Sequence, residues 1–430
     1  MLPPRREATR IIHRLGESGQ PPTRGVEYFN VGNTRLLETL SREYLDSYLK
    51  EGGSSFKLVV GQYGGGKTHL MFCLRELAWK HGFATSFVQL SQKECPYDDP
   101  LKVYQAVARN IQAPPHDPGS EPERGIDEFL KGHYYALSDR LSAEDRNADE
   151  SAAMLAAFVQ SLGRIKVENP SFRNAVQRYV QAVVTDEEQA QSLLCSWLEG
   201  DAMERGELRS FGIVEAPGQH NAFRMLRNLC QLVRELGYQG LILLFDEGQR
   251  MVSMMSARSQ KYACENLLSV INHCGDEELP GALFVYSVTP DFLENVVPRY
   301  AALHQRLEAP SVFSERNPFS PRIDLDELDL PGEELLAAMG EKILGVFEVY
   351  KGRTFDHGLQ QNNIRSLARR CYEQTLSVNQ RRVFVKTLVA HLTQQAVDGE
   401  TPVSSWDTPI EESMQALVER EAKIEAGSEY

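Results

Sequence analysis

A chain of 430 residues, 42% of them hydrophobic, is long enough for one large or two to three ordinary domains built on real cores. A formal net charge of −14 excludes a protein that coats nucleic acid through its whole surface, because phosphate neutralisation needs cation excess. There is no run of about 18 apolar residues, and the start, MLPPRREATR, lacks the apolar stretch of a secretory signal, so a soluble, cytoplasmic protein without membrane contact is expected.

In chain order, residues 6–16 predict a short amphipathic helix, followed by the turn-rich GESGQPPTRG. A second helix is expected from about residue 33 to 51, carrying Leu36, Leu37, Leu40 and Tyr44. Next comes FKLVVGQYGGGKT, residues 56–68, in which a buried-strand run flows into a complete GxxxxGK[ST] phosphate-binding loop. Gly61, Gly64, Gly65 and Gly66 can bend sharply and bring backbone N–H groups up to phosphate oxygens with no Cβ in the way. Lys67 is expected to reach the β and γ phosphates, and Thr68 to ligate Mg²⁺ through its hydroxyl. His69 follows at a helix N-terminus, whose partial positive charge favours an anion. The helix carries Leu70, Cys73, Leu74 and Leu77 at helical spacing and ends at Gly82. ATP and Mg²⁺ are therefore the expected cofactors, and segment 1–55 is expected to flank the nucleotide base.

A strand over 84–90 and a helix over 101–112 complete the first part of an α/β core, 56–112. The pattern then breaks at APPHDPGSEPER, and 113–215 reads as a mostly helical insertion. Its last helix is signalled by Thr185 and Glu188 in capping-box spacing before Ala190, Leu193, Leu194 and Trp197. The core resumes over 216–330. A helix with Leu226, Leu229, Cys230, Val233 and Leu236 on one face leads to LILLF at 241–245, a continuous apolar run typical of a strand buried on both faces. A helix over 262–273, the strand ALFVYSV over 282–288 and the alternating RIDLDEL over 322–328 follow. Strands and helices alternating in this way build a doubly wound α/β layer with its ligand at the carboxyl ends of the strands. Residues 331–395 read as a helical lid and 396–430 as a C-terminal tail, whose acidic part after Ile410 is expected to add little.

Several side chains suit the second half of a nucleotide site. Asp246, at the exit of the buried strand, suits the Mg²⁺ shell, and Glu247 is placed to orient and polarise an attacking water. After ALFVYSV, Thr289, or in second place Ser287, offers a hydroxyl to that water or to the γ-phosphate, although capping the next helix would use it equally well. Arg306, or Arg299, is expected to reach a neighbouring subunit's γ-phosphate, with a surface salt bridge as the plainer role. Asn379, Gln380, Arg381 and Arg382 open the last lid helix, and Arg381 or Arg382 is expected to couple the lid to phosphate.

The remaining chemistry is sparse. Cys73, Cys95, Cys195, Cys230, Cys264, Cys274 and Cys371 form no CxxC pair and read as reduced core thiols, and the ten histidines form no HExxH. Two basic clusters stand out: Arg5, Arg6, Arg10, Arg14 and Arg24, and Arg365, Arg369, Arg370, Arg381, Arg382 and Lys386. Solvated faces or subunit contacts account for them better than DNA does.

The order of these parts resembles the AAA+ class of P-loop ATPases. More particularly, RGVEYFNVGN at 24–33, the phosphate-loop segment at 56–82, GLILLFDEGQRM at 240–251 and TPDFLENVVPRYAALHQRL at 289–307 resemble the ATPases of bacterial BREX phage-defence systems, the BrxC/BrxD group, nearest its BrxD branch. The resemblance implies an AAA+ ATPase related to initiator-type proteins. It implies a homo-oligomer acting with a helicase or other defence-system proteins, with DNA as a further partner. Such initiators carry a winged-helix domain after the lid, for which too few residues follow Ala390, so autonomous sequence-specific DNA binding is not expected. A regulatory ATP-binding module, or a DNA-binding scaffold with negligible hydrolysis, is the alternative.

Overall fold

The computed structural model describes residues 2–427 apart from 92–94, 117–120, 145–146, 204, 248–255, 310, 328–329, 331 and 375–379. In chain order, α1 (Arg5–Ser18) is followed by α2 (Thr34–Leu40), which runs on as a π-helical stretch, Ser41–Tyr48. Strand β1 (Ser55–Val60) then leads through the glycine-rich loop to α3 (Lys67–Lys80). Strand β2 (Ala84–Gln89), α4 (Pro100–Asn110) and the two-residue β3 (Ile111–Gln112) precede helices α5 (Ile126–Ala143), α6 (Ala148–Leu162), α7 (Pro170–Val184), α8 (Glu188–Leu198) and α9 (Arg205–Leu208). The core returns with α10 (Ala222–Glu235), β4 (Leu241–Asp246), α11 (Ala257–Gly275), β5 (Ala282–Val288), α12 (Ala301–Leu307) and β6 (Arg322–Asp324). Helices α13 (Gly332–Lys351), α14 (His357–Glu373), α15 (Gln380–Asp398) and α16 (Asp407–Gly427) close the chain.

Two compact units result, one made of 39–59 and 77–323, the other of 1–38, 60–76 and 324–430. In the first, the strands form one sheet in the order β3-β2-β4-β5-β1-β6. Strands β2, β4 and β5 pair in parallel, and β3 is antiparallel to β2. Every residue of β4 and β5 is buried, as expected of apolar runs covered on both faces. The alternating RIDLDEL makes a strand of only three residues, with Leu325 adding one more N–H bond to Val60 O at 2.9 Å; Leu328 lies outside the described residues. The expected 33–51 helix is α-helical only in its first part. Beyond Leu40 its N–H groups bond five residues back, as in Leu49 N–H to Tyr44 O at 3.0 Å.

Within 113–215, helices α7 and α8 pack on each other. Trp197 is fully buried, packs near Phe172, and donates its indole N–H to Glu215 O at 3.0 Å. The capping box predicted from Thr185 and Glu188 does not form. The residue before α8 is Glu187, which makes no side-chain cap, while the Thr185 hydroxyl is shared between Glu187 Oε1 at 2.8 Å and Gln181 O at 3.1 Å at the end of α7. A β-hydroxyl bonding to a preceding carbonyl competes with capping, and here it wins. Trp197→Ala is expected to destabilise this unit by about 3–5 kcal/mol, through lost burial and the orphaned Glu215 carbonyl. Urea unfolding of the two proteins checks it.

In the other unit, Ala8, Ile11, Ile12 and Leu15 form the buried face of α1, which packs on α13 and α15. Gly340 lets α13 approach its neighbours closely, since a Cβ there would lie 2.6 Å from Ile364 Cγ2. The tail does more than expected. Trp406, Ile410 and Leu417 repeat at helical spacing and are buried, Trp406 donates to Ser366 Oγ at 2.8 Å, and Thr387 bonds Ser413 at 2.9 Å. These contacts seat α16 against α15.

Candidate functional site

Strand β1 ends at Val60, and the chain must turn at once to start α3 at Lys67. Two glycines make the turn possible: Gly64 and Gly66 have φ of 75° and 94°, a left-handed region that costs other residues about 1–2 kcal/mol. The loop folds on itself through Gly65 N–H to Gln62 O at 2.8 Å. The buried Lys67 ammonium donates to Gly61 O at 2.9 Å and Gln62 O at 3.0 Å. The first N–H groups of α3 have no intrahelical partners, which makes this end of the helix an anion-binding position.

Arg381 and Arg382, both singled out from sequence, lie on this loop. Arg381 donates from Nη1 to Gly65 O, and Arg382 sits 5.5 Å from the Tyr63 ring centre. Gln380 begins α15, whereas Asn379 lies outside the described residues. Burial lowers the pKa of Arg381, opposed by the nearby Asp326 carboxylate. A Cβ on Gly66 would come 2.5 Å from Arg381 Nη1. Gly66→Ala therefore combines backbone strain with eviction of Arg381, and a loss of about 1–3 kcal/mol is expected in thermal unfolding.

His69, the third residue of α3, is drawn down to about 4 by burial and secondarily by Arg381, so it is neutral at pH 7. Its Nε2 lies 3.0 Å from Asn30 Oδ1, which also accepts from Asn33 Nδ2 at 3.1 Å, and its ring is 5.2 Å from that of Phe29. Lys342 of α13 donates to Asn30 O at 2.6 Å. Segment 24–33 is thus tied to the start of α3. Asn30, Lys342 and Asp326 were not singled out from the sequence; only RGVEYFNVGN as a block drew notice there. Near the end of α3, Glu76 accepts from Gly25 N–H at 2.9 Å and faces Arg24 at 3.6 Å.

Burial raises the Glu76 carboxyl to about 7 despite Arg24 and Arg75. Because the folded pKa lies above the unfolded one, the folded state binds the extra proton between about pH 4.5 and 7, and stability falls as pH rises through that window. Glu76→Gln keeps an acceptor for Gly25 and removes the buried charge. Its melting temperature should exceed wild type at about pH 8, and the gap should close by about pH 4.5, where both side chains are neutral.

In the unit holding the sheet, parallel register pairs Phe245 of β4 with Tyr286 of β5, so the next residues, Asp246 and Ser287, come abreast. The Ser287 hydroxyl donates to Asp246 Oδ1, and Glu247 N–H is shared by Asp246 Oδ1 at 3.0 Å and Ser287 Oγ at 3.2 Å. Glu247 takes φ of 62°, a strained conformation for a residue with a Cβ and one that recurs at working sites. Ser287, ranked second from sequence, is the hydroxyl that meets the acidic pair. Thr289 lies beyond the strand, half-buried, with its carbonyl accepting Phe292 N–H at 3.1 Å. Arg306 is exposed and donates to Asn272 Oδ1 of α11 at 3.2 Å, and Arg299 is exposed at the end of the 3₁₀ turn Val297–Arg299. Residues 248–251 of the GLILLFDEGQRM segment lie outside the described residues.

The second basic cluster is largely spoken for. Arg365 faces Glu341 at 3.7 Å, Arg369 faces Glu333 at 3.3 Å, Arg370 faces Asp407 at 2.6 Å, and Lys386 donates to Gly16 O at 3.1 Å. Six of the cysteines are buried and Cys195 is half-buried, all as free thiols.

The chain belongs to the BREX system ATP-binding protein BrxC/D family, whose model matches residues 4–405. No curated protein and no solved structure matches it. ATP is thereby its family ligand, and membership points to a role in BREX phage defence together with other proteins of that system. Among the described residues, no helix is long and apolar enough to cross a membrane.

Proposed function

We propose that the chain is an AAA+ ATPase that binds and hydrolyses Mg-ATP to drive assembly or remodelling of a partner complex in BREX defence, acting as a homo-oligomer beside a helicase-like partner on DNA. The observation that carries the reading is the left-handed turn at Gly64 and Gly66 delivering Lys67 to a helix N-terminus in a family named for ATP. The residues suit the cofactor. Backbone N–H groups of Gly61, Gly64, Gly66 and His69, that of Gly65 on exchanging Gln62 O, and the Lys67 ammonium match phosphate oxygens, while the Thr68 hydroxyl and Asp246 carboxylate are hard oxygen donors suited to Mg²⁺. When bound there, Mg²⁺ would neutralise phosphate charge.

On this reading Glu247 orients the attacking water, and Ser287 fixes the Asp246–Glu247 corner, with Thr289 as the alternative hydroxyl. The strand order supports it, since β5 lies between the strand feeding the glycine loop and the strand ending in Asp246. Arg381 and Arg382 act as lid sensors, exchanging Gly65 O and the Tyr63 ring for phosphate. Arg306 is the finger toward a neighbouring subunit, with Arg299 the second choice. The BrxD placement within the family rests on the sequence segments alone.

Titration with ATP and Mg²⁺, followed by steady-state phosphate release with and without DNA, tests the proposal. Saturable binding with Mg²⁺-dependent turnover is expected. Binding without turnover would instead make the chain a regulatory ATP module, and no binding at millimolar ATP would remove the assignment.

A further inference from the structure

The insertion, 113–215, holds 19 Asp and Glu against 10 Lys and Arg, so 9 of the chain's 14 net negative charges fall in under a quarter of its length. The turn between α7 and α8 concentrates this charge. Asp186, held at φ of 58°, Glu187 and Glu188 line a groove of about 550 Å³ together with Leu193 and Phe211. Among the described residues none of the three carboxylates has an ion-pair partner, and all three are exposed. Val184, just before the turn, is 49% exposed. An apolar floor with an acidic rim is the complement of an amphipathic cationic surface.

Charge decides the class of occupant. Nucleic acid is excluded from this face by like-charge repulsion. On this face, whatever other surfaces join subunits, a second copy of the chain, itself at −14, is disfavoured by the same long-range field, whereas a positively charged partner is steered toward it. We infer that the α7–α8 tip docks a cationic, amphipathic segment of a partner protein, with Arg or Lys on the Asp186–Glu188 rim and an aliphatic or aromatic side chain in the groove between Leu193 and Phe211. The proposal is independent of ATP hydrolysis.

The test uses the full chain and a labelled helical peptide of about 15 residues with arginine and leucine on opposite faces, beside versions with Leu→Ser and Arg→Glu. The triple variant D186N/E187Q/E188Q removes the rim charge with minimal change of shape, and asparagine tolerates the left-handed φ at 186. Unchanged melting and nucleotide binding would establish that it folds. The expected result is that wild type binds the arginine–leucine peptide, that the variant binds it at least about tenfold more weakly with a shallower salt dependence, and that the Leu→Ser peptide is also weakened. Equal binding by the variant, or equal binding of the Leu→Ser peptide, would overturn the assignment of this groove. Self-association of wild type that is lost in the variant would instead identify the occupant as a second copy and overturn the partner-protein assignment.

Discussion

Lys67→Ala is expected to weaken ATP binding by about a hundredfold or more, the scale set by losing a charge-assisted hydrogen bond of about 1.5–3 kcal/mol together with its charge. Stability should change far less. The ammonium donates to Gly61 O and Gln62 O, two main-chain carbonyls of the loop, and these belong to the turn and not to the packed core. The two effects therefore separate, with ATP titration moving strongly and the thermal midpoint shifting by roughly 1 kcal/mol or less. An affinity unchanged by the substitution would place the nucleotide elsewhere.

Much of the fold was legible because the apolar runs are unambiguous. LILLF and ALFVYSV became fully buried strands within a residue of the expected ends, since neither alternates polar with apolar residues as a strand with one solvent face would. The glycine loop was legible for a similar reason: φ near 75° and 94° at Gly64 and Gly66 is what a sharp strand-to-helix turn demands. Less legible were features settled by partners distant in sequence. Thr185 found Gln181 O in preference to the N-terminus of α8, and helix α16 forms because Ile410 and Trp406 meet a surface on α14 and α15 that the tail alone does not announce. The same holds in the candidate site. Asn30 is marked by three donors, Asn33 of its own loop, His69 of α3 and Lys342 of α13, and an isolated asparagine in a turn-rich segment gives no sign of them. That Ser287 is the hydroxyl abreast of Asp246 follows from strand register, which sequence left open.

Register also frames the second large effect. Glu247→Gln leaves the backbone of the corner intact, because the bonds to Asp246 Oδ1 and Ser287 Oγ come from the main-chain N–H at 247. Glutamine is nearly isosteric with glutamate but carries no charge to polarise a water, so ATP affinity should stay within about twofold while phosphate release falls about 10²–10⁴-fold, the usual contribution of a positioned base. The left-handed φ of 62° adds a check on the design, since Glu247→Gly relieves strain as well as removing the carboxylate. A more stable but equally inactive glycine variant would mean that the strain at 247 is kept for the position of the carboxylate. Equal turnover in wild type and Glu247→Gln would deny the residue its role as base and leave ATP holding a conformation, with hydrolysis incidental to it.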